Sequence, residues 1–337
     1  MNTKEMMKTT QSLWSNFRNC RRKCKIRTLD KLVPNQKEKC LSFGSVIHEA
    51  LETWHGGYDF KPVLTCIDNA YPQKIANADQ KRDWHLATAM MKGYIGRYPS
   101  EEFQVIALEK VFEGPIVNPL TGKTSRSFYL AGKVDGIIRY PDGSYWLLEH
   151  KTASQITPDY IERLWVDFQI ALYSWYVREY LGIPVVGILY NILGKTTMRQ
   201  GNGETEEEYQ ERRQKLIAKS KTGKTSAKRK IPESDEDFQD RLAEKYAQED
   251  MLRREELYIS NDRYEDLQVE LWKLTQAFLE ARRNDNFYRN PDYCFHYNRA
   301  CSYYPICSSN DNPLVIENHY QVVEPHEELR SCEENVF

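Results

Sequence analysis

Two runs of sequence, YLAGKVDGIIRY over 129–140 and SYWLLEHKTAS over 144–154, decide the fold of this chain. The turn Pro141-Asp142-Gly143 between them is a hairpin signal, so the two predicted strands pair antiparallel. Strand side chains alternate, which puts Glu149 and Lys151 on one face, and Asp135 sits in the preceding strand. Two carboxylates and an ammonium then meet on a sheet otherwise built from Ile, Leu, Val, Trp and Tyr. Charges beside a core need a partner or a metal to offset their desolvation. Paired carboxylates offer hard oxygen ligands for Mg²⁺ or Mn²⁺, and the adjacent lysine suits a phosphate or a polarised water. That combination reads as metal-dependent phosphodiester hydrolysis. The competing reading is a solvated sheet face carrying D…E-x-K by chance, and the apolar Leu147-Leu148 run weighs against it.

Around this hairpin the periodicity predicts a helix followed by a basic stretch over 8–28, then helices over 42–55, with Ser42 as its cap, and over 59–98. A strand follows over 103–114, and after the hairpin come an amphipathic helix over 158–182 and a strand over 184–193. Helices, a strand meander, a helix and a further strand make an α/β core around a mixed sheet. From Gly201 to Met251 the texture changes to dense charge with few large apolar residues. Arg212 to Lys230 is basic and rich in Ser, Thr, Lys and Gly, which reads as a partly helical insertion with a mobile tip. Helical periodicity returns over 262–284, followed by a cysteine-bearing loop and an acidic tail.

Composition limits the alternatives. A chain of 337 residues with 40% hydrophobic and 28% charged residues has a core plus a solvated appendage. A net charge of −2 gives no global argument for nucleic acid, so any such role needs a local basic surface. No apolar run approaches a bilayer span and the N-terminus lacks a signal-peptide core, so a cytoplasmic location without membrane contact is expected. Eight cysteines in such a compartment argue for thiolate ligation or plain burial over disulfides.

Three further constellations bear on the chemistry. His48 flanks the apolar face of its helix, with Gly44 one turn earlier; a neutral imidazole there is either a nitrogen ligand favouring Mn²⁺ or a hydrogen-bonded packing residue. Gln169 and Tyr173, at i and i+4, share a helix face and either brace Lys151 or form a buried polar pair. Cys294, Cys301 and Cys307, with Cys20 far upstream, offer four thiolates for Zn²⁺ or an iron–sulfur cluster. Cys24 competes with Cys20 for the fourth position; Cys40, Cys66 and Cys332 read as structural.

With these motifs in order, the chain resembles the RecB-like iron–sulfur branch of the PD-(D/E)xK nuclease superfamily. That branch includes AddB-type and CRISPR-associated RecB-like exonucleases and phage-encoded members. Gly44 and His48 match its G-x-x-x-H, GKVDGII its aspartate at Asp135, LLEHKTAS its E-x-K, and Gln169 with Tyr173 its Q-x-x-x-Y. Cys20 stands where that branch has its first cluster ligand, and Cys294, Cys301 and Cys307 match its C-terminal trio. The match runs from about residue 10 to 308; Arg21 in place of a proline, the long Cys294–Cys301 gap and the charged insertion depart from the pattern.

The resemblance implies a restriction-endonuclease-like core with a central mixed sheet flanked by helices, plus a helical iron–sulfur region joining the two ends of the chain. Its division would be an N-terminal helical segment with the first cluster cysteine (1–43), a nuclease core (44–200), a charged insertion (201–257), a C-terminal helix and cluster loop (258–310) and an acidic tail (311–337). It implies that Asp135, Glu149, the backbone carbonyl of His150 and the His48 ring hold Mg²⁺ or Mn²⁺, while Lys151 orients the nucleophile or neutralises a phosphate oxygen. Gln169 and Tyr173 support that lysine. It implies a structural 4Fe-4S cluster on Cys20, Cys294, Cys301 and Cys307 that completes a passage for a single strand. In that passage Tyr293, Tyr297, Tyr303 and Tyr304 would either stack on bases or serve as plain packing tyrosines, and Arg18, Arg21, Arg22, Lys23 and Lys25 would follow phosphates. The expected activity is a metal-dependent DNA exonuclease acting on single strands or free ends, in recombination, end processing or CRISPR spacer processing. A recombination or CRISPR-adaptation protein partner goes with it, and a viral member would work in the host cytoplasm. The alternatives are an inactive iron–sulfur DNA-binding partner subunit and a zinc-stabilised structural protein.

Overall fold

The computed structural model describes residues 6–35, 39–57, 59–72, 77–296, 299–324, 326 and 329. The chain opens with a short strand β1 (Met7–Thr9), helices α1 (Gln11–Asn19) and α2 (Arg21–Cys24), a π-helical turn and strand β2 (Leu32–Pro34). Helices α3 (Lys39–His55), α4 (Phe60–Ala70) and α5 (Ala78–Arg97) lead into strands β3 (Gln104–Val117), β4 (Thr124–Arg139) and β5 (Tyr145–Ala153). Then come α6 (Pro158–Leu164), α7 (Phe168–Tyr180), β6 (Val185–Gly194), α8 (Glu206–Lys219), α9 (Asp235–Tyr246), β7 (Leu252–Tyr258) and α10 (Asn261–Arg283). The C-terminal region holds β8 (Phe295–His296), β9 (Arg299–Ala300), α11 (Tyr304–Ser308), α12 (Pro313–His319) and β10 (Tyr320–Val322).

The central sheet is mixed. β4 pairs antiparallel with β3 along one edge, and along its other edge with β1 (parallel, Phe128–Leu130) and β5 (antiparallel, Gly136–Arg139). β5 then pairs parallel with β6, and β6 antiparallel with β7. The β4–β5 hairpin closes as its turn residues demand: Gly143 has φ 89°, the left-handed value that only glycine adopts freely, and its N–H reaches the Tyr140 carbonyl at 2.9 Å.

Alternation along β5 and β6 assigns two cores to the two faces. Leu147, Ile188, Tyr190 and Ile192 join Trp14 and Phe17 of α1, Phe168 and Leu172 of α7, and Leu271 and Phe278 of α10. On the other face Trp146, Leu148 and Leu189 pack with Phe103, and Leu193 packs with residues of α3, α4, α5 and α9. This is an α/β fold in which a mixed sheet lies between two helical layers.

Several elements differ from the sequence expectation, each for a local reason. The helix read over 8–28 begins at Gln11, because Met7–Thr9 pair with β4 and Thr10 accepts the Leu13 N–H as the cap. α3 starts at Lys39, which places Ser42 inside the helix instead of at its cap. The helix read over 59–98 is two helices, α4 capped by Asp59 and α5 by an Asn77–Gln80 capping box. The helix read over 158–182 breaks after Leu164 because the Asp167 side chain accepts the Gln169 N–H and starts α7 afresh.

The charged stretch after Gly201 also divides. α8 buries none of its residues and is held by Arg212 on Glu204. In α9, by contrast, Phe238, Leu242 and Tyr246 recur every four residues and are buried, and β7 is a sheet strand. Large apolar residues at helical spacing are easily hidden among charges.

Candidate active site

The β4–β5 ladder ends at the pair Gly136–Leu148, and Asp135 and Glu149 stand immediately beyond it. Past this point the His150 N–H has no β4 carbonyl to meet, and it donates instead to Asp135 Oδ2 at 2.8 Å. The other Asp135 oxygen lies 3.4 Å from His48 Nδ1, delivered by α3. Glu149 is 7% exposed and accepts from Lys151 Nζ at 2.5 Å and from Gln169 Nε2 at 3.2 Å. Gln169 Oε1 in turn lies 3.5 Å from Lys151 Nζ. The Asp167 cap that restarts α7 therefore also sets the amide that bridges Glu149 and Lys151.

The electrostatics push the two carboxyls apart. Burial raises the Asp135 carboxyl, but the hydrogen bond and charge of His48 win and hold it well below its ordinary value. Burial, helped by the Asp135 charge, outweighs the downward pull of Lys151 and lifts Glu149 to about 7. Burial opposes the charge on Lys151, yet Glu149 and Asp135 raise its pKa above the ordinary lysine value. Burial opposes protonation of His48, and Asp135 reverses that and raises it. Adjacent buried carboxylates of this kind favour an added cation, and hard oxygens suit a divalent one.

Alternation along β5 sends the His150 ring the opposite way from Glu149 and Lys151. It stacks on His55 at 5.3 Å, meets His48 edge-on at 5.9 Å, and its Nδ1 lies 3.2 Å from the Asn191 amide. Asn191 donates to Tyr94 Oη at 2.7 Å, and Arg254 bonds Asn191, Tyr94 and Glu101 at 2.7–2.8 Å. Burial lowers the pKa of His150 to about 3 and that of His55 well below the ordinary histidine value, so both are neutral. Sequence reasoning missed this network. Its one visible signal was the seven-residue spacing of His48 and His55, two turns apart on one helix face.

Tyr173 is placed one turn beyond Gln169. Its ring lies edge-on to Phe112 at 5.2 Å, over Gly132, whose Cβ would come within 3.0 Å of it. Gly44 lies against Thr152, and an added Cβ there would sit at an ordinary 3.6 Å.

The cysteines gather where the chain ends meet. β2 pairs with β10, Arg22 N–H donates to the Tyr288 carbonyl at 3.1 Å, and Asn290 donates to the Asn19 carbonyl at 2.8 Å. Ile26, Tyr303, Ile306 and Tyr320 form a small core beneath. Cys294 and Cys307 each feel the charges of Cys20 and Cys301, and Cys301 N–H donates to the Cys294 carbonyl at 2.7 Å. Burial raises the Cys307 thiol, while Arg289 and Arg22 pull it back. Cys24 points elsewhere: it is fully buried, its Sγ donates to the Leu13 carbonyl at 3.7 Å, and burial lifts it to about 12. Cys20, Cys24, Cys66, Cys294, Cys301 and Cys307 are free thiols. Among the described residues no group of three or more His, Cys, Asp or Glu side chains is arranged to hold a metal ion as it stands. The donor chemistry nonetheless fits: four soft thiols in the terminal region, and two hard carboxylates of the sheet with an imidazole from α3.

The basic and aromatic residues expected to line a passage are mostly committed to packing. Tyr303 is buried, hydrogen-bonded to the Leu32 carbonyl at 2.9 Å and stacked on Tyr320, so it has no free face for a base. Arg21 lies between Phe17 and Tyr288, Arg22 pairs with Asp311, and Lys25 faces Asp285 at 3.7 Å. Tyr293 stacks on His296, Tyr304 is exposed, and Tyr297 lies outside the described residues.

A mixed sheet that carries an aspartate and an E-x-K pair at the end of one hairpin is the arrangement of a nuclease of the D…E-x-K type. The sequence pattern of the PD-(D/E)XK nuclease superfamily matches residues 8–308, and the chain belongs to that superfamily. No curated protein matches it. Among solved structures it is similar to a protein from Eubacterium rectale described as "Putative exonuclease". The two are 11% identical, with 89% of this chain and 90% of that one covered, at a TM-score of 0.45. No described helix is long and apolar enough to cross a membrane.

Proposed function

We propose that this nuclease is a metal-dependent DNA exonuclease of the RecB-like iron–sulfur branch, acting on single strands or free ends. The observation that carries the reading is the convergence of Asp135, Glu149, Lys151, His48 and Gln169 at the point where the β4–β5 ladder opens. Asp135, Glu149, the His150 carbonyl and His48 would hold Mg²⁺ or Mn²⁺. Such a cation supplies charge to the phosphate transition state and acidifies an attacking water. Lys151, kept protonated by its carboxylate neighbours, neutralises a non-bridging phosphate oxygen or orients the nucleophile. Gln169 fixes the Lys151–Glu149 geometry, and Tyr173 backs it from the sheet side. Asp135, already ionised by His48, is the carboxylate readiest to accept a cation.

The same reading assigns a 4Fe-4S cluster to Cys20, Cys294, Cys301 and Cys307; the burial of Cys24 against the Leu13 carbonyl supports Cys20 over Cys24 as the fourth ligand. Its role is to fasten the two chain ends. The setting is cytoplasmic, with DNA as the partner and work in recombination, end processing or CRISPR-type spacer processing. Lys151→Ala should abolish Mn²⁺-dependent cleavage of labelled single-stranded DNA and leave DNA binding nearly intact. Retained turnover would remove Lys151 from the mechanism. A colourless, zinc-containing protein after anaerobic purification would sink the iron–sulfur assignment.

A further inference from the structure

His150, Asn191 and Arg254 stand side by side in register across β5, β6 and β7. The row crosses a largely apolar sheet face, between Leu148 and Leu189 on one side and Leu193 and Leu252 on the other. Asn191 is 1% and His150 2% exposed. A buried polar row is weak evidence for stability, because well-packed apolar side chains of similar volume often serve a core as well or better. Its presence behind the reacting centre calls for a second role.

The proton order of the row follows from Arg254, which can only donate. Its Nε–H meets Asn191 Oδ1 at 2.7 Å, so the Asn191 amide nitrogen faces Tyr94 Oη at 2.7 Å and His150 Nδ1 at 3.2 Å. Both amide hydrogens are given away, one of them to His150 Nδ1, and the His150 proton is therefore on Nε2. Tyr94 Oη accepts from Asn191 and from Arg254, which uses both its lone pairs, and its own proton goes to His55 Nε2 at 3.1 Å. Glu101 closes the far end by accepting from Arg254 at 2.7 and 2.8 Å. His150 Nε2 is buried without a hydrogen-bond partner among the described residues, so Asn191 is the polar anchor of the ring.

His150 reaches the reacting centre in three ways. Its N–H holds Asp135 at 2.8 Å, its ring meets His48 edge-on at 5.9 Å, and its carbonyl is one of the proposed metal ligands. Partners that orient ligands from behind change metal affinity or activity about 10–100-fold when they are lost. We propose that Asn191 and Arg254 are positioning residues of the nuclease centre, which fix the His150 proton on Nε2 and hold its ring against His48 and its backbone against Asp135. The consequence for the metal rests on the nuclease reading, whereas the proton order is measured without metal or substrate.

Long-range proton–nitrogen NMR of the labelled full-length protein in EDTA reads that order, with His150 assigned by the signal that His150→Gln lacks. Wild type should show a protonated Nε2 and a bare Nδ1. Asn191→Asp still offers Arg254 an acceptor, but a carboxylate cannot donate to Nδ1, so the proton should move to Nδ1. The same variant should keep a cooperative denaturant melt and bind Mn²⁺ about 10-fold more weakly by calorimetry. Arg254→Lys keeps the charge and loses the fork; it should weaken Mn²⁺ binding by a smaller factor, and it carries the test should Asn191→Asp fail to fold. A wild type protonated at Nδ1 would overturn the proposal whatever the variants do. Wild-type Mn²⁺ affinity in folded Asn191→Asp or Arg254→Lys would reduce the row to core packing and overturn the positioning role. A wild type with the Nε2 proton that neither binds Mn²⁺ nor cleaves DNA would overturn the nuclease reading and the positioning role with it, while the proton order stands.

Discussion

The two candidate centres of this molecule are built on opposite principles. At the sheet centre every acid has an internal partner: Asp135 has His48 and the His150 N–H, and Glu149 has Lys151 and Gln169. At the cysteine centre the four thiols are half-buried and lie near one another, with Arg22 and Arg289 as cations beside Cys307. The first is preorganised by strand pairing and a helix cap. The second draws chain ends together around a thiol set whose order a cluster would complete. On the proposed function, geometry precedes the metal at the first centre and depends on the cluster at the second.

The largest expected effect tests that dependence. Cys294→Ser or Cys301→Ser should destabilise the protein by about 2–5 kcal/mol, as loss of a long cross-link does, and bleach any visible absorbance. Cys24→Ala should cost less and leave the spectrum unchanged; denaturant melts and absorbance spectra decide between them. At the sheet centre, Gly132→Ala should cost about 1–3 kcal/mol, because its Cβ would press into the buried Phe112 ring and against Tyr173. Gly44→Ala, with ordinary room beside Thr152, should stay within about 0.5 kcal/mol by the same melts. Gln169→Ala should lower kcat about tenfold, equivalent to about 1.4 kcal/mol, by loosening Lys151 and Glu149 while the fold stays intact.

A further effect is on pH dependence. Burial holds His55 neutral in the fold, with its pKa well below the ordinary histidine value of 6.5. Below that value the unfolded chain binds a proton that the folded chain refuses, so His55 costs no stability at higher pH and progressively lowers it as pH falls. The loss can reach about 1.4 kcal/mol per pH unit for one such histidine. Denaturant melts of His55→Asn against wild type should show a shallower decline from pH 7 toward pH 5.

The sheet and the placement of its charged residues were legible in sequence because strand alternation, a hairpin turn and the E-x-K spacing are all local signals. Asp135, Glu149, Lys151, His48 and Gln169 could be read as a group, and the structure brings them together. What sequence hid was set by distant partners. Met7–Thr9 become a strand only because β4 offers an edge, and β7 only because β6 does. The helix over 158–182 broke where one aspartate could cap, a choice that periodicity alone does not reveal. Tyr303 looked like a stacking surface until the fold put Tyr320 over it. The His150–His55–Asn191–Arg254 network joins four elements, so no single stretch announces it.

The central claim is that Asp135, Glu149 and Lys151 form a metal-dependent cutting centre. Its most direct test is digestion of end-labelled single- and double-stranded DNA with Mg²⁺ or Mn²⁺, wild type against Asp135→Ala. The account predicts label release by wild type that needs the cation and vanishes in the variant. Cleavage that persists in Asp135→Ala, or that proceeds equally well in chelator, would contradict it.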